Sequence, residues 1–242
     1  MVSNNMKKIL ITGCGGMLGE AVYEELKNKY DVYATDIVLN EDWLGYLDVR
    51  SRGEVDSMFN DIKPDIVIHL AALTDLEYCQ LNPGNSYDTN FMGAYNVALN
   101  AKKSKIPMVH ISSAGIFDGR KNYYDEDDAP NPLNVYAASK FAGDLAVMDV
   151  PGSIIIRAGW MIGGGPEKDK KFVNKIIKQL RGGAKELLVV KDKLGTPTYT
   201  YDLAKMIHYL LKHKKHGIFN GSCFGGVSRY SVAKEIIKIL SS

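Results

Sequence analysis

Tyr136 and Lys140 stand four residues apart in the segment Asn134-Val135-Tyr136-Ala-Ala-Ser-Lys140-Phe-Ala-Gly-Asp. At the start of a helix this spacing puts both side chains on one face. A free tyrosine has a pKa near 10 and is a poor acid–base catalyst at neutral pH. An ammonium close to its hydroxyl favours the phenolate and lowers that value. Upstream, His110-Ile-Ser112-Ser113 ends an apolar run in two hydroxyls. A hydroxyl there can hydrogen-bond a carbonyl and stabilise charge developing on its oxygen. Adjacent strand residues point to opposite sides, so Ser112 and Ser113 compete for that task. Tyrosine–lysine pairs occur by chance in many helices, and serines often end strands. The surrounding elements must decide whether these residues act together.

The strongest of those elements lies near the N-terminus. The β-like run Lys7-Lys-Ile-Leu-Ile-Thr12 leads through Gly13-Cys14-Gly15-Gly16-Met17-Leu18-Gly19 into the helix-like Glu20-Ala-Val-Tyr-Glu-Glu-Leu. A strand that turns through glycines into a helix builds a phosphate cradle, because the helix start offers unpaired N–H groups and the positive end of its dipole. Gly13 serves the tight turn, Gly16 the approach of a pyrophosphate and Gly19 the packing of helix on strand. Asp36 ends a second strand, Asp31-Val-Tyr-Ala-Thr-Asp36, 23 residues after Gly13. That is near the separation of roughly 20 at which a carboxylate meets an adenosine ribose. The alternative is a turn aspartate. An acid here favours NAD over NADP by repelling a 2′-phosphate, although nearby Lys or Arg could compensate. With a nicotinamide beside it, Tyr136 gains a second positive neighbour, and Lys140 a ribose to hydrogen-bond.

Strand-like and helix-like segments alternate along the rest of the chain. The strand-like ones are Ile9–Thr12, Val32–Thr35, Asp65–Leu70, Met108–Ser112, Ile154–Arg157, Leu187–Val190 and Ile218–Asn220. Helical patterns cover Met17–Asn28, Ser51–Asp61, Gly84–Lys103, Tyr136–Met148, Lys171–Arg181, Tyr201–His213 and Arg229–Leu240. Ser51 with Glu54 reads as a capping box. This order predicts an α/β fold, a doubly wound parallel sheet of the Rossmann type covered on both faces. The early strands are almost wholly apolar, as strands buried on both sides must be. Ligands of such sheets bind beyond the carboxyl ends of the strands, where the glycines, Ser113 and Tyr136 all fall. The longest irregular stretch, residues 113–135, is polar and acidic, and loops of that length are often functional.

Bulk composition excludes several other classes. A chain of 242 residues carries one sizeable core, and 45% hydrophobic with 24% charged residues is ordinary for a globular protein. Thirty basic against 28 acidic residues leave +2, which implies no nucleic acid or anionic membrane as partner. The cluster Lys212-His213-Lys214-Lys215-His216 reads as a solvated helix end. No apolar run reaches the roughly 18 residues of a membrane span, and the first residues do not form a signal peptide. Cys14, Cys79 and Cys223 are widely spaced with no Cys-x-x-Cys pair, which fits reduced thiols in a cytoplasm rather than a disulfide frame or a zinc site.

Taken together, these motifs resemble the extended short-chain dehydrogenase/reductase superfamily. Ile111-Ser-Ser-Ala-Gly-Ile-Phe-Asp-Gly119, Asn131-Pro-Leu-Asn-Val-Tyr136-Ala-Ala-Ser-Lys140, Arg157-Ala-Gly-Trp160, Gly195-Thr-Pro-Thr-Tyr199 and Ala71-Ala-Leu-Thr74-Asp75 resemble the dTDP-4-dehydrorhamnose reductase family, over Lys7 to about Leu240. The resemblance implies NAD(H) or NADP(H) as cofactor, with its pyrophosphate at Gly16, Met17 and Leu18. It places Asp36 at the adenosine ribose, Asp48 and Val49 beside the adenine, and Ala71, Ala72 and Thr74 along the nicotinamide. Ser113, Ala114, Trp160 and Thr196 would meet the sugar. The reaction implied is hydride delivery to C4 of a nucleotide-linked 4-keto-6-deoxyhexose, with Tyr136 as proton donor and Lys140 and Ser113 assisting. Residues 1–242 would form a single domain, in which 158–186 and 194–242 contribute a small substrate lobe. A homodimer is left open.

Two departures bear on the sugar. Ala114-Gly115 stands where the family usually has Asp-Tyr, and the chain stops several tens of residues earlier than the family pattern. Both predict a different or more weakly held sugar and an open cleft. The same residues would also serve a nucleotide-sugar epimerase or dehydratase, in which the cofactor is not consumed. A third reading is a non-catalytic dinucleotide-binding subunit, like the regulatory subunit of methionine adenosyltransferase.

Overall fold

The computed structural model describes residues 6–241. Its centre is a sheet of seven parallel strands: β1 (Lys8–Thr12), β2 (Asp31–Asp36), β3 (Gly45–Tyr46), β4 (Ile66–His69), β5 (Met108–Ser113), β6 (Ile154–Ala158) and β7 (Gly217–Gly221). Their spatial order is β7-β6-β5-β4-β1-β2-β3. β4 and β6 are buried along their whole length, which explains the apolar runs Ile66–Ile68 and Ile154–Ile156 that open them. One core, including Ile9, Ile11, Leu18 and Ile207, covers one face; a second, including Leu10, Phe59, Val97 and Ile155, covers the other. Successive residues of β1 thus feed opposite layers, as a period of two requires.

The helices are α1 (Met17–Leu26), α2 (Arg52–Ile62), α3 (Leu76–Leu81), α4 (Pro83–Tyr87), α5 (Ala94–Ser104), α6 (Val135–Met148), α7 (Gly165–Lys168), α8 (Phe172–Arg181), α9 (Thr200–Lys212) and α10 (Arg229–Leu240). The single helix expected over 84–103 is α4 and α5 joined by a π-helical turn, Asp88–Gly93. The capping box at Ser51 is half formed. Ser51 accepts from the Glu54 N–H, but the Glu54 carboxylate turns to the Asp48 N–H.

One expected strand is absent. Residues 187–190 are irregular, with Leu188 and Val190 exposed. An apolar run needs a partner edge to become a strand, and none is presented to it. Of the residues assigned to a substrate lobe, α9 packs on α1 and β7 joins the main sheet. Two small sheets flank them: Trp160–Ile162 beside Pro197–Tyr199, and Leu194–Gly195 beside Val227–Ser228. No helix among the described residues is long and apolar enough to cross a membrane.

The chain runs outward from β1 to β3, then returns to β4 on the other side of β1. Such a switch point opens a crevice at the carboxyl ends of the strands. The loops after β1 and β4 meet there.

Candidate active site

The glycine loop follows β1. Gly13 has φ +73°, and a Cβ on it would lie 2.3 Å from the Ala71 backbone, so this glycine serves both the turn and the contact with the loop after β4. A Cβ on Gly19 would lie 2.0 Å from the Cys14 carbonyl, which accounts for the helix-on-strand packing. Gly16 differs. Its nearest neighbour would be the Gly13 carbonyl at 3.6 Å, so space remains in front of it. Gly16 is the N-cap of α1 and no side chain caps that end. Open space before an uncapped helix start suits a pyrophosphate. Met17 and Leu18 are buried in the first turn of α1.

Asp36 ends β2 beside this loop. Its carboxylate accepts the Gly15 N–H at 2.9 Å and the Val38 N–H at 3.0 Å. The residue is therefore both a turn aspartate and a brace for the cradle. Asp48 is held by Arg50 at 2.6 Å, which keeps its carboxyl below the usual carboxylate range. Val49 is buried against Gly93 of the π turn. Cys14 is fully buried as a thiol, pushed well above its usual range by burial.

Across the crevice lies the loop of Ala71, Ala72 and Thr74. Its fastener is Asn90, which the sequence did not single out. Asn90 accepts the Leu73 N–H at 2.8 Å, donates to the Leu73 carbonyl at 3.0 Å and donates to Ser139 Oγ at 2.9 Å. Ser139 in turn donates to the Tyr136 carbonyl at 2.9 Å. The π turn that carries Asn90 thus ties the loop after β4 to the first turn of α6. π turns recur at functional sites for such re-aiming of a side chain.

Asn134 caps α6 by accepting the Ala137 N–H, which begins the helix one residue before Tyr136. Ser113, at the end of β5, hydrogen-bonds the Tyr136 hydroxyl and accepts the Gly115 N–H at 3.0 Å. Ser112 points the other way and donates to buried Asp144 at 2.7 Å. The two serines are thereby resolved: Ser113 faces Tyr136. Burial raises the Tyr136 pKa, against the hydrogen bond from Ser113. Lys140 is 2% exposed, and burial pulls its pKa down to about 8, opposed by Asp144. Among the described residues no acceptor takes a hydrogen bond from its ammonium.

Below Lys140 is a polar cluster that the sequence reading missed. The parallel register aligns Thr12 with His69 and His69 with His110. Thr12 Oγ1 lies 2.7 Å from His69 Nδ1, and the two imidazoles stack at 5.5 Å. His110 Nε2 is 3.3 Å from Asp144 Oδ1, without the alignment of a hydrogen bond. Burial first, then the neighbouring imidazole and Lys140, lower the His69 pKa; burial and Lys140 lower that of His110. Both rings are neutral. Only the register brings them together, so no sequence spacing announces the cluster.

Trp160 lies two residues beyond Ala158, which is level with Ser113. Its N–H donates to the Thr196 carbonyl at 2.9 Å, and Gly195 packs on its ring. Ala114 is exposed at the mouth. The loop 113–135 folds back over β6 and β7. Buried Arg157 donates to the Glu126 carbonyl at 3.0 Å and stacks on Phe117, while Glu126 accepts the Asn220 N–H at 2.8 Å.

This arrangement has known relatives. The model of the RmlD substrate binding domain family matches residues 6–242. The chain belongs to that family. It is 36% identical to the spore coat polysaccharide biosynthesis protein SpsK of Bacillus subtilis, over 96% of this chain and 79% of that one. It is 31% identical to a dTDP-4-dehydrorhamnose reductase of Aggregatibacter actinomycetemcomitans, over 96% and 78%. The structure of the dTDP-4-dehydrorhamnose reductase of Bacillus anthracis in complex with NADP superposes with a TM-score of 0.88 at 33% identity, covering 98% of this chain and 81% of that one. The chain is therefore similar to these reductases in sequence and in fold.

Proposed function

We propose that the protein is an NAD(P)H-dependent reductase of a nucleotide-linked 4-keto-6-deoxyhexose. The reading is supported by Ser113 at the Tyr136 hydroxyl, by buried Lys140 one turn further along α6, and by the uncapped glycine cradle at the start of α1. The cradle fits a dinucleotide: Gly16, Met17 and Leu18 would hold its pyrophosphate, Asp36 its adenosine ribose, Asp48 and Val49 its adenine side, and Ala71, Ala72 and Thr74 its nicotinamide. When bound, the reduced cofactor supplies a hydride.

The chain's own residues do the rest. Ser113 donates a hydrogen bond to the ketone oxygen and fixes its position. Tyr136 gives its phenolic proton to that oxygen as negative charge builds there. The Lys140 ammonium stabilises the phenolate left behind and hydrogen-bonds the nicotinamide ribose. Trp160 and Thr196 border the sugar. Ala114 and Gly115 leave the wall next to Tyr136 without a side chain larger than a methyl, so this wall admits a bulkier or differently substituted sugar.

The test is to incubate the protein with NADH or NADPH and a panel of nucleotide-linked 4-ketosugars, following loss of the reduced cofactor. Tyr136→Phe removes one oxygen and keeps the ring. General acid catalysis typically contributes roughly 10²- to 10⁴-fold, so turnover falls by that order while cofactor affinity stays. A Tyr136→Phe variant with full turnover would refute the assignment.

A further inference from the structure

The chain beyond β6 returns to the glycine cradle, and one lysine fastens it there. Gly163, Gly164 and Gly165 have φ of 150°, 72° and 67°, a run of left-handed backbone that favours glycine. A Cβ on Gly164 would lie 3.0 Å from the Met17 Cα, so the two backbones meet at the first turn of α1. The short helix α7 follows and ends at Lys168. Its ammonium donates to Glu20 Oε2 at 3.0 Å and to Glu41 Oε1 at 2.6 Å, and its side chain is 8% exposed. Glu20 follows Gly19 in α1. Glu41 follows Asn40, whose side chain donates to the Gly15 carbonyl at 3.2 Å. A single ammonium therefore joins the segment after β6 to both flanks of the cradle. From behind, buried Asn174 of α8 donates to the carbonyls of Pro166 at 2.8 Å and Asp169 at 2.6 Å, which fixes the backbone on either side of Lys168.

The charges around the cradle are otherwise negative. Asp36 accepts the Gly15 N–H, and Glu20 and Glu41 stand beside it. Among the described residues neither glutamate has an ion pair other than Lys168. Burial lowers the Lys168 pKa, but hydrogen bonds to Glu41 and Glu20 outweigh it and the value is raised, so the ammonium stays charged. The Cys14 thiol, inside the glycine loop, is acted on by the charges of both Asp36 and Lys168, which places the loop within reach of each. An anion entering between uncompensated carboxylates is repelled at such range. Exposed ion pairs contribute little to stability. A nearly buried lysine shared by two carboxylates at the mouth of an anion site has an electrostatic task there instead.

We propose that Lys168 is a positioning residue for the dinucleotide: it neutralises Glu20 and Glu41 at the mouth of the cradle, so that a pyrophosphate settles at Gly16. Lys168 acts through the two carboxylates and does not itself touch the cofactor. This inference rests on the dinucleotide reading of the cradle. A 2′-phosphate adds negative charge on the side of Asp36 and Glu41, so NADPH depends on Lys168 more than NADH does.

The test is calorimetric titration with NADH and NADPH of the wild type, Lys168→Met, Lys168→Arg, and Lys168→Met combined with Glu20→Gln and Glu41→Gln. Lys168→Met weakens NADH by roughly 10- to 100-fold, the range of one charge-assisted interaction, and NADPH by more. Lys168→Arg keeps the charge and stays near wild type. The triple variant regains most of the lost affinity, because the repelling carboxylates are gone. That recovery separates neutralisation from anchoring of the segment after β6, since the triple variant has no ion pair left to anchor it. If Lys168→Met fails to fold by circular dichroism, Glu20→Gln with Glu41→Gln in the presence of Lys168 carries the test, and binds both dinucleotides more tightly than wild type. Unchanged affinity in Lys168→Met, a triple variant as weak as the single one, or no gain in the double glutamine variant overturns the proposal and leaves the cradle standing. A wild type that binds neither dinucleotide sinks the cradle reading and this inference with it.

Discussion

At the scale of single residues, Lys140 shows function set against stability. Its pKa falls from 10.5 to about 8 on folding, chiefly through burial. At 1.36 kcal/mol per unit this is a cost of about 3 kcal/mol for keeping the ammonium charged at neutral pH. The sign follows from linkage: between pH 8 and 10.5 the unfolded chain binds the extra proton, so stability rises with pH through that window. Lys140→Met removes the buried charge and keeps the stem. The variant should unfold at higher urea concentration than wild type at pH 7, yet lose turnover and bind NADH more weakly. A variant less stable at pH 7 would show that the ammonium has a protein partner. The same ordering of costs explains Gly13 and Gly19, where any side chain would meet backbone, while Gly16 faces open space.

At the scale of elements, α6 is the hub. One turn apart, Tyr136, Lys140 and Asp144 share its inward face, and Asp144 reaches β5 through Ser112. Asp144→Ala leaves a buried hydroxyl without its acceptor and Lys140 without its nearest negative charge. Loss of one member of a buried pair costs about 3–5 kcal/mol, to be read from denaturant unfolding. Asp144→Asn retains an acceptor for Ser112 and should unfold less readily than Asp144→Ala. It also removes the charge that holds the Lys140 pKa up, so the loss of NADH affinity with rising pH, which in wild type falls around pH 8, moves to lower pH. The other groups acting on Lys140 are the neutral His69 and His110, which do not gain charge in that range, and Tyr136 one turn before it on α6 stays protonated there because burial raises its pKa. An unmoved pH profile would assign Asp144 to folding alone. The π turn at Asp88–Gly93 and the back-folded loop 113–135 belong to the same scale, since each positions the site from outside the sheet.

At the scale of the whole molecule, the strand order creates the site. The glycine loop after β1 and the loop after β4 touch at Gly13 and Ala71 because the chain reverses direction between those strands. A ligand that fills this crevice bridges both halves of the sheet and stabilises the fold by mass action. NADH at about 100 times its dissociation constant should add ~2.7 kcal/mol, or roughly 5–10 °C in melting temperature for a chain of this size. Gly16→Val should melt like the unliganded protein and show no shift. A wild type that does not respond to either dinucleotide would remove the cradle from the account.

The sequence alone determined the order of strands and helices, because alternating apolar runs and 3.6-residue patterns are local, and so are the glycine turn, the Asn134 cap and the four-residue step from Tyr136 to Lys140. It also misled locally: Leu187–Val190 has a strand's composition but no neighbouring edge to pair with. Tertiary structure alone decided which serine meets Tyr136, since the strand's orientation relative to α6 is set by packing. It placed His69 against His110 through a register between strands 41 residues apart. It brought Asn90 from the π turn to the loop after β4, and Arg229 onto Trp160 and Phe172 from a helix near the end of the chain. These contacts join residues distant along the chain, and their partners are chosen by the close packing of whole elements, which no short window of sequence encodes.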